Sequence, residues 1–272
     1  MEDFFRKSIK TDVYLRNISP EELRGYREAV LDYKRYFIKS VWNYNEIVGE
    51  LLAKKLKLSS AHYEPAISCE EYVMISPDFR YTDYKYRNLF EFDNGKRATE
   101  IFKNSLNNNL EEFMEYYKLT GEDYQNILKL IALDIFMRQR DRDSVNIMVC
   151  SNDDFNTVHL APIFDYSDSF CNSFEGFSLD NPTEIFKKYR SAMENIRIHD
   201  TKEREQFPRK SLSDFISSHP DIVNYFKTLL DLDILELLNK RLDNYDIKLT
   251  DNGKWYYENN QNFSKEIIKK FI

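Results

Sequence analysis

Glycine is scarce in this chain, with six in 272 residues. Few positions can therefore take positive φ cheaply or bring backbone close to a ligand. Cysteine is scarcer: Cys69, Cys150 and Cys171 are odd in number, widely spaced and without a CxxC pair. That pattern argues against a disulfide framework or a zinc site and predicts buried free thiols in a reducing cytoplasm. No run approaches the ~20 apolar residues that span a bilayer. The opening MEDFFRKSIKTDVYL lacks the apolar stretch of a secretion signal. The expectation is a soluble cytoplasmic protein with no membrane partner. A basic excess is missing too: 39 Lys and Arg stand against 46 Asp and Glu, a net charge of -7. That balance does not support a broad nucleic-acid-binding face. Neither an internal repeat nor a low-complexity linker is present.

Apolar and aromatic residues are plentiful, at 42% and 15% of the chain. They suffice for one large domain or for two lobes sharing an interface. YFIKSVW (36–42) has the β-branched and aromatic content of a strand. Asn45 then reads as the cap of a helix, EIVGELLAKKLKL, whose apolar residues fall mostly on one face. EEYVMIS (70–76) reads as a second strand, stopped by Pro77. Beyond residue 78 helical spacing dominates, in 98–119, 121–139, 185–198 and a long C-terminal stretch opened by Pro220 with Asp221 as cap. One hairpin interrupts the helices: NIMVC, a polar turn SNDDFN, then TVHLAPIF, ending at Asp165. Histidines 62, 159, 199 and 219 show no ligand spacing, and Trp42 and Trp255 read as packing residues.

The hairpin follows a greasy helix and the cluster MRQRDRDSVN (137–146). Asp141 stands in the loop, and Asn146 at the mouth of the first strand. An antiparallel return brings Asp165 to the same end as Asn146. Converging oxygen ligands of this kind suit Mg²⁺, which takes one or two carboxylates with water and phosphate oxygens. A further acid nearby could orient a hydroxyl for attack on a phosphoryl group.

RDRDSVN resembles the catalytic loop of protein-kinase-like enzymes, and LAPIFDYSDS resembles the metal-binding segment of the HipA-like kinase family. YFIK and NEIVGELLAKKLKL resemble that family's lysine-bearing strand and the helix after it. The resemblance implies an α+β, bilobal protein-kinase-like fold. Residues 1–78 would form a small strand-containing N-lobe, and 79–272 a larger helical C-lobe. It implies a Mg-ATP-dependent kinase acting on Ser or Thr hydroxyls of a protein substrate, in a bacterial setting, with an antitoxin as possible partner. Asp141 would orient or deprotonate the acceptor hydroxyl, while Asn146 and Asp165 would hold Mg²⁺. Lys39 would bind the α/β phosphates, steadied by Glu46, with Glu50 one turn later as the alternative. Glu71, Tyr72, Val73 and Met74, within the stretch running to Ser76, would offer backbone groups to adenine.

The sequence departs from the family pattern in three ways. Between residues 8 and 36 the phosphate-covering loop has only Gly25, and NISPEELRGY reads as a turn with Ser19 and Glu22 in capping-box spacing. Asp143 replaces the family's histidine. The chain also has no room for the separate N-terminal domain of longer members. Three rivals follow: a pseudokinase that binds nucleotide without turnover, a small-molecule or lipid kinase, and a helical interaction protein with no nucleotide site.

Overall fold

The structure, a computed structural model, describes residues 15–24, 27–40, 44–69, 71–80, 83–92, 110–139, 142, 145–167, 169–170 and 209–272. Among these, the first half holds β1 (Arg16–Ile18), β2 (Glu28–Leu31), β3 (Lys34–Ser40), α1 (Asn45–Lys55), β4 (Glu64–Ser68) and β5 (Glu71–Pro77). The strands form one sheet in the order β1-β4-β5-β3-β2. β1 runs parallel to β4, and the other pairs are antiparallel. Strand alternation separates two faces. Ala29, Leu31, Ile38, Ala66, Val73 and Ile75 join Ile18 in a small core of their own. Met74 belongs instead to the main core, and Lys39 pairs with it in register.

The sequence reading misses β1, β2 and β4. Ser19 and Glu22 do come together: the Glu22 carboxylate accepts from Ser19 N at 2.8 Å, at the head of a 3₁₀ turn over Pro20–Glu22. Asn45 is not a cap. It is the first residue inside α1, with Tyr44 before it, and its Nδ2 donates to the Ser169 carbonyl at 2.7 Å. Cys69 is exposed rather than buried, in the turn after β4, while Cys150 is buried. Cys171, Trp42 and the expected helix over 185–198 lie outside the described residues.

The second half begins with β6 (Lys85–Asn88) and a one-turn helix α2 (Leu89–Phe92). Then come α3 (Leu110–Tyr116) and α4 (Gly121–Met137), followed by β7 (Met148–Ser151), β8 (His159–Leu160) and the helices α5 (Arg209–Ser218), α6 (Ile222–Leu230), α7 (Ile234–Leu242) and α8 (Asp251–Ile268). α4 opens on a reciprocal cap between Thr120 and Asp123, whose carboxylate takes Thr120 Oγ1 at 2.7 Å. It packs against α1, α6 and α8. The hairpin forms with Val149 opposite Leu160, and β6 adds an edge strand to it that the sequence did not announce. The stretch after Pro220 is two helices. Asp233 caps the second by accepting from Glu236 N at 3.0 Å. Asp221 caps nothing: its own dihedrals are helical, which turns the side chain away from the first-turn N–H groups. Its carboxylate takes Gln125 Nε2 instead, at 3.1 Å.

Candidate active site

β3 points Lys39 away from the small core occupied by its neighbour Ile38 and toward the second half of the chain. Its Nζ lies 2.5 Å from Glu46 Oε1 on α1 and 2.6 Å from Asp165 Oδ1 beyond β8. Burial works against the ammonium charge, but the two carboxylates outweigh it and hold Lys39 above its ordinary pKa. Burial likewise works to raise Asp165. Lys39 outweighs it, helped by Ser167 and Arg142, so the carboxyl stays below its usual range. Glu46 uses its other oxygen, Oε2, to accept from Tyr166 N at 2.8 Å. The expected alternative, Glu50, is engaged elsewhere: it bonds His62 Nδ1 at 2.7 Å and Tyr63 N at 2.9 Å.

Asp165 takes a φ of 63°, which is costly for a residue with a Cβ. Four groups hold it there. Tyr63 Oη accepts its N–H at 3.1 Å, and Gln139 Nε2 donates to its carbonyl at 2.5 Å. Lys39 and Ser167 both donate to Oδ1. Among the described residues no side chain bonds Oδ2, an oxygen suited to a hard cation.

Arg142 ties the loop to both strand ends. Buried to 1% exposure, it grips Asp134 with Nε at 3.0 Å and Nη2 at 3.2 Å. Its Nη1 donates to the carbonyls of Asn146 at 3.0 Å and Phe164 at 2.5 Å. The mouth of β7 and the residue before Asp165 are thereby clamped together, with Asn146 buried between them. Burial opposes the charge of Arg142, but Asp134 outweighs it and keeps the guanidinium firmly protonated. Asp141 and Asp143 lie outside the described residues. Gln139 and Arg142, on either side of Asp141, both reach the Asp165 segment.

The backbone contact expected between adenine and Glu71, Tyr72, Val73 and Met74 meets an obstacle. β5 is the central strand of its sheet. Val73 and Met74 are paired with Ser40 and Lys39 on one side and with Ala66 and Pro65 on the other, while Glu71 and Tyr72 pair with Ser68 and Ile67. The ladders take the backbone groups of Val73 and Met74, leaving none for a base. The chain leaves the sheet only after Pro77.

Three contributors escape sequence reasoning. Tyr63 has no local signal at all. Arg142 lies within MRQRDRDSVN, where its spacing carries no signal of a clamping role. Gly49 is the third: a methyl on it would overlap the ring of Tyr166. That ring lies against α1, under the Arg142 guanidinium at 5.3 Å, with its hydroxyl 3.1 Å from Ser60 Oγ.

A curled sheet holding a lysine, a helix holding its glutamate and a helical part holding an aspartate after a hairpin define a protein-kinase-like fold. No protein-family model and no curated protein matches the sequence. The fold does match solved structures. The Helicobacter pylori proinflammatory kinase CtkA aligns with a TM-score of 0.54 at 12% identity, over 94% of this chain and 95% of that one. HipA of Shewanella oneidensis MR-1, solved with HipB and operator DNA, aligns with a TM-score of 0.49 at 10% identity, over 87% of this chain and 58% of that one. At such identities the likeness is one of fold.

Proposed function

We propose that this chain is a Mg-ATP-dependent protein kinase that transfers the γ-phosphate to a Ser or Thr hydroxyl. The observation that carries the reading is the meeting of Lys39, Glu46 and Asp165 from three separate elements. In this reading Lys39 binds the α/β phosphates and Glu46 holds it in place. Asp165 Oδ2 and Asn146 are the oxygen donors for Mg²⁺, which when bound neutralises phosphate charge. Asp141, two residues beyond Gln139 in the sequence, orients the acceptor hydroxyl. Val73 and Met74 are paired on both sides and Glu71 and Tyr72 on one, so in this reading side chains also serve the base. Phe37 shares a strand face with Lys39 and carries the Arg80 guanidinium 5.0 Å above its ring, while Phe79 and Phe164 lie 6.0 Å apart, centroid to centroid. The antitoxin partner rests on the HipA-like sequence motifs, and its test is a protein that co-purifies in fixed ratio and suppresses transfer.

The test of the site is a calorimetric titration of ATP with and without Mg²⁺, beside Asp165→Asn. Mg²⁺-dependent binding, weakened at least roughly tenfold in the variant, is the expected result. A wild-type protein that binds no nucleotide overturns the reading. A pseudokinase is the second reading, favoured by the direct bond between Lys39 and Asp165, which occupies the metal-binding carboxylate with an internal cation. Transfer of labelled γ-phosphate to a protein extract excludes it. Transfer confined to a metabolite extract points to a small-molecule kinase.

A further inference from the structure

Tyr63 precedes β4 and is buried to 1% exposure. Every polar group it has is engaged with a different element. Its N–H donates to Glu50 Oε2 on α1 at 2.9 Å, and its carbonyl accepts from Arg241 Nη2 on α7 at 3.2 Å. Its phenol oxygen accepts the N–H of Asp165 at 3.1 Å. The ammonium of Lys39 lies 5.8 Å from its ring centroid. A side chain pinned at both backbone ends by two helices is a fixed post, and its tip rests on the strained residue of the site.

We infer that Tyr63 is a positioning residue: its hydroxyl fixes the backbone of Asp165 and thereby sets the carboxylate for the metal–nucleotide ligand. The inference rests on the reading of Asp165 as a metal ligand. The physical argument is that a left-handed φ at Asp165 needs its N–H satisfied from outside the local chain. Among the described residues Tyr63 is the group that does so. Without the hydroxyl, Asp165 keeps Lys39 and Ser167 on Oδ1 but loses the anchor that orients its backbone. The carboxylate then relaxes toward the internal ion pair, and the metal has to compete for it.

Tyr63→Phe removes one oxygen and leaves the packing intact. The control is Tyr257→Phe. Tyr257 is also fully buried, and its hydroxyl accepts a backbone N–H in the same way, from Tyr44 at 2.8 Å. Two quantities separate positioning from mere stability. One is the ratio of ATP affinity with and without Mg²⁺, by calorimetry. The other is hydrogen exchange at the Asp165 amide in ligand-free protein. Tyr63→Phe is expected to lower the ratio roughly tenfold, the worth of one such hydrogen bond, and to expose the Asp165 amide. Tyr257→Phe is expected to lower the urea midpoint without changing either quantity. A wild-type ratio in Tyr63→Phe, or an Asp165 amide as protected as before, overturns the inference and leaves the kinase reading standing. If the wild-type protein shows no Mg²⁺ effect while Tyr63→Phe still exposes the amide, the kinase reading fails and the anchoring of Asp165 survives it.

Discussion

Arg142 is the side chain on which the geometry of the site most depends without itself meeting a ligand in the proposed reaction. A guanidinium presents donors in a planar fork, and here the fork spans a carboxylate and two carbonyls that belong to three parts of the chain. Burial holds the Asp134 carboxyl above its ordinary range, and the Arg142 charge offsets only part of that lift. Removing the arginine leaves Asp134 at 5% side-chain exposure with no counter-charge. Arg142→Ala should therefore cost about 3–5 kcal/mol in urea unfolding, the range for breaking a buried pair from one side. Asp134→Asn/Arg142→Met, which removes both charges, should cost less than the single change. A loss under about 1 kcal/mol for Arg142→Ala would contradict a buried, unrelieved Asp134.

At the scale of elements, α1 joins sheet to helices. It grows from the strand half of the sequence yet packs on α4, α6 and α7. Gly49 lets it approach the residue after Asp165. In an open helix Gly→Ala would stabilise by about 1 kcal/mol. Here the added methyl meets the Tyr166 ring, and moving that ring disturbs the bond from Tyr166 N to Glu46. Gly49→Ala should destabilise by about 1–3 kcal/mol in urea unfolding and, on the proposed kinase reading, weaken Mg-ATP binding as well. A variant as stable as wild type would show that the ring moves freely. The same element shows what was legible beforehand. α1 and α4 declared themselves by apolar spacing, and Lys39, Glu46 and Asp165 by motif. β6, KYRN, has no apolar face, β4 contains Pro65, and β1 and β2 are too short to alternate convincingly. They are strands because partners claim their backbone, which no local pattern encodes. Tyr63 was invisible for the same reason: its partner lies 102 residues away.

Across the whole molecule, β4, α1 and α7 are joined at His62. Its Nδ1 meets Glu50 at 2.7 Å and its Nε2 meets Glu64 at 2.9 Å, so both ring nitrogens face carboxylates and the doubly protonated form fits. Arg241 from α7 approaches the same ring at 3.0 Å, and Tyr245 lies within the electrostatic reach of Glu64, Arg241 and Glu50. The bonds to Glu50 and Glu64 outweigh burial and the opposing Arg241, and push the imidazole up to about 9. A folded pKa above the unfolded value of about 6.5 stabilises the protonated fold. That contribution is fully present below about pH 6.5 and is lost as pH rises through about 9. The carboxylate side agrees, since Glu64 is held below its ordinary value chiefly by His62. The thermal midpoint of wild type minus that of His62→Gln should therefore be largest near pH 6 and shrink toward pH 9.5. A gap constant with pH would mean that the imidazole is neutral in the fold, and that the three elements are held by Arg241 and Glu50 without it.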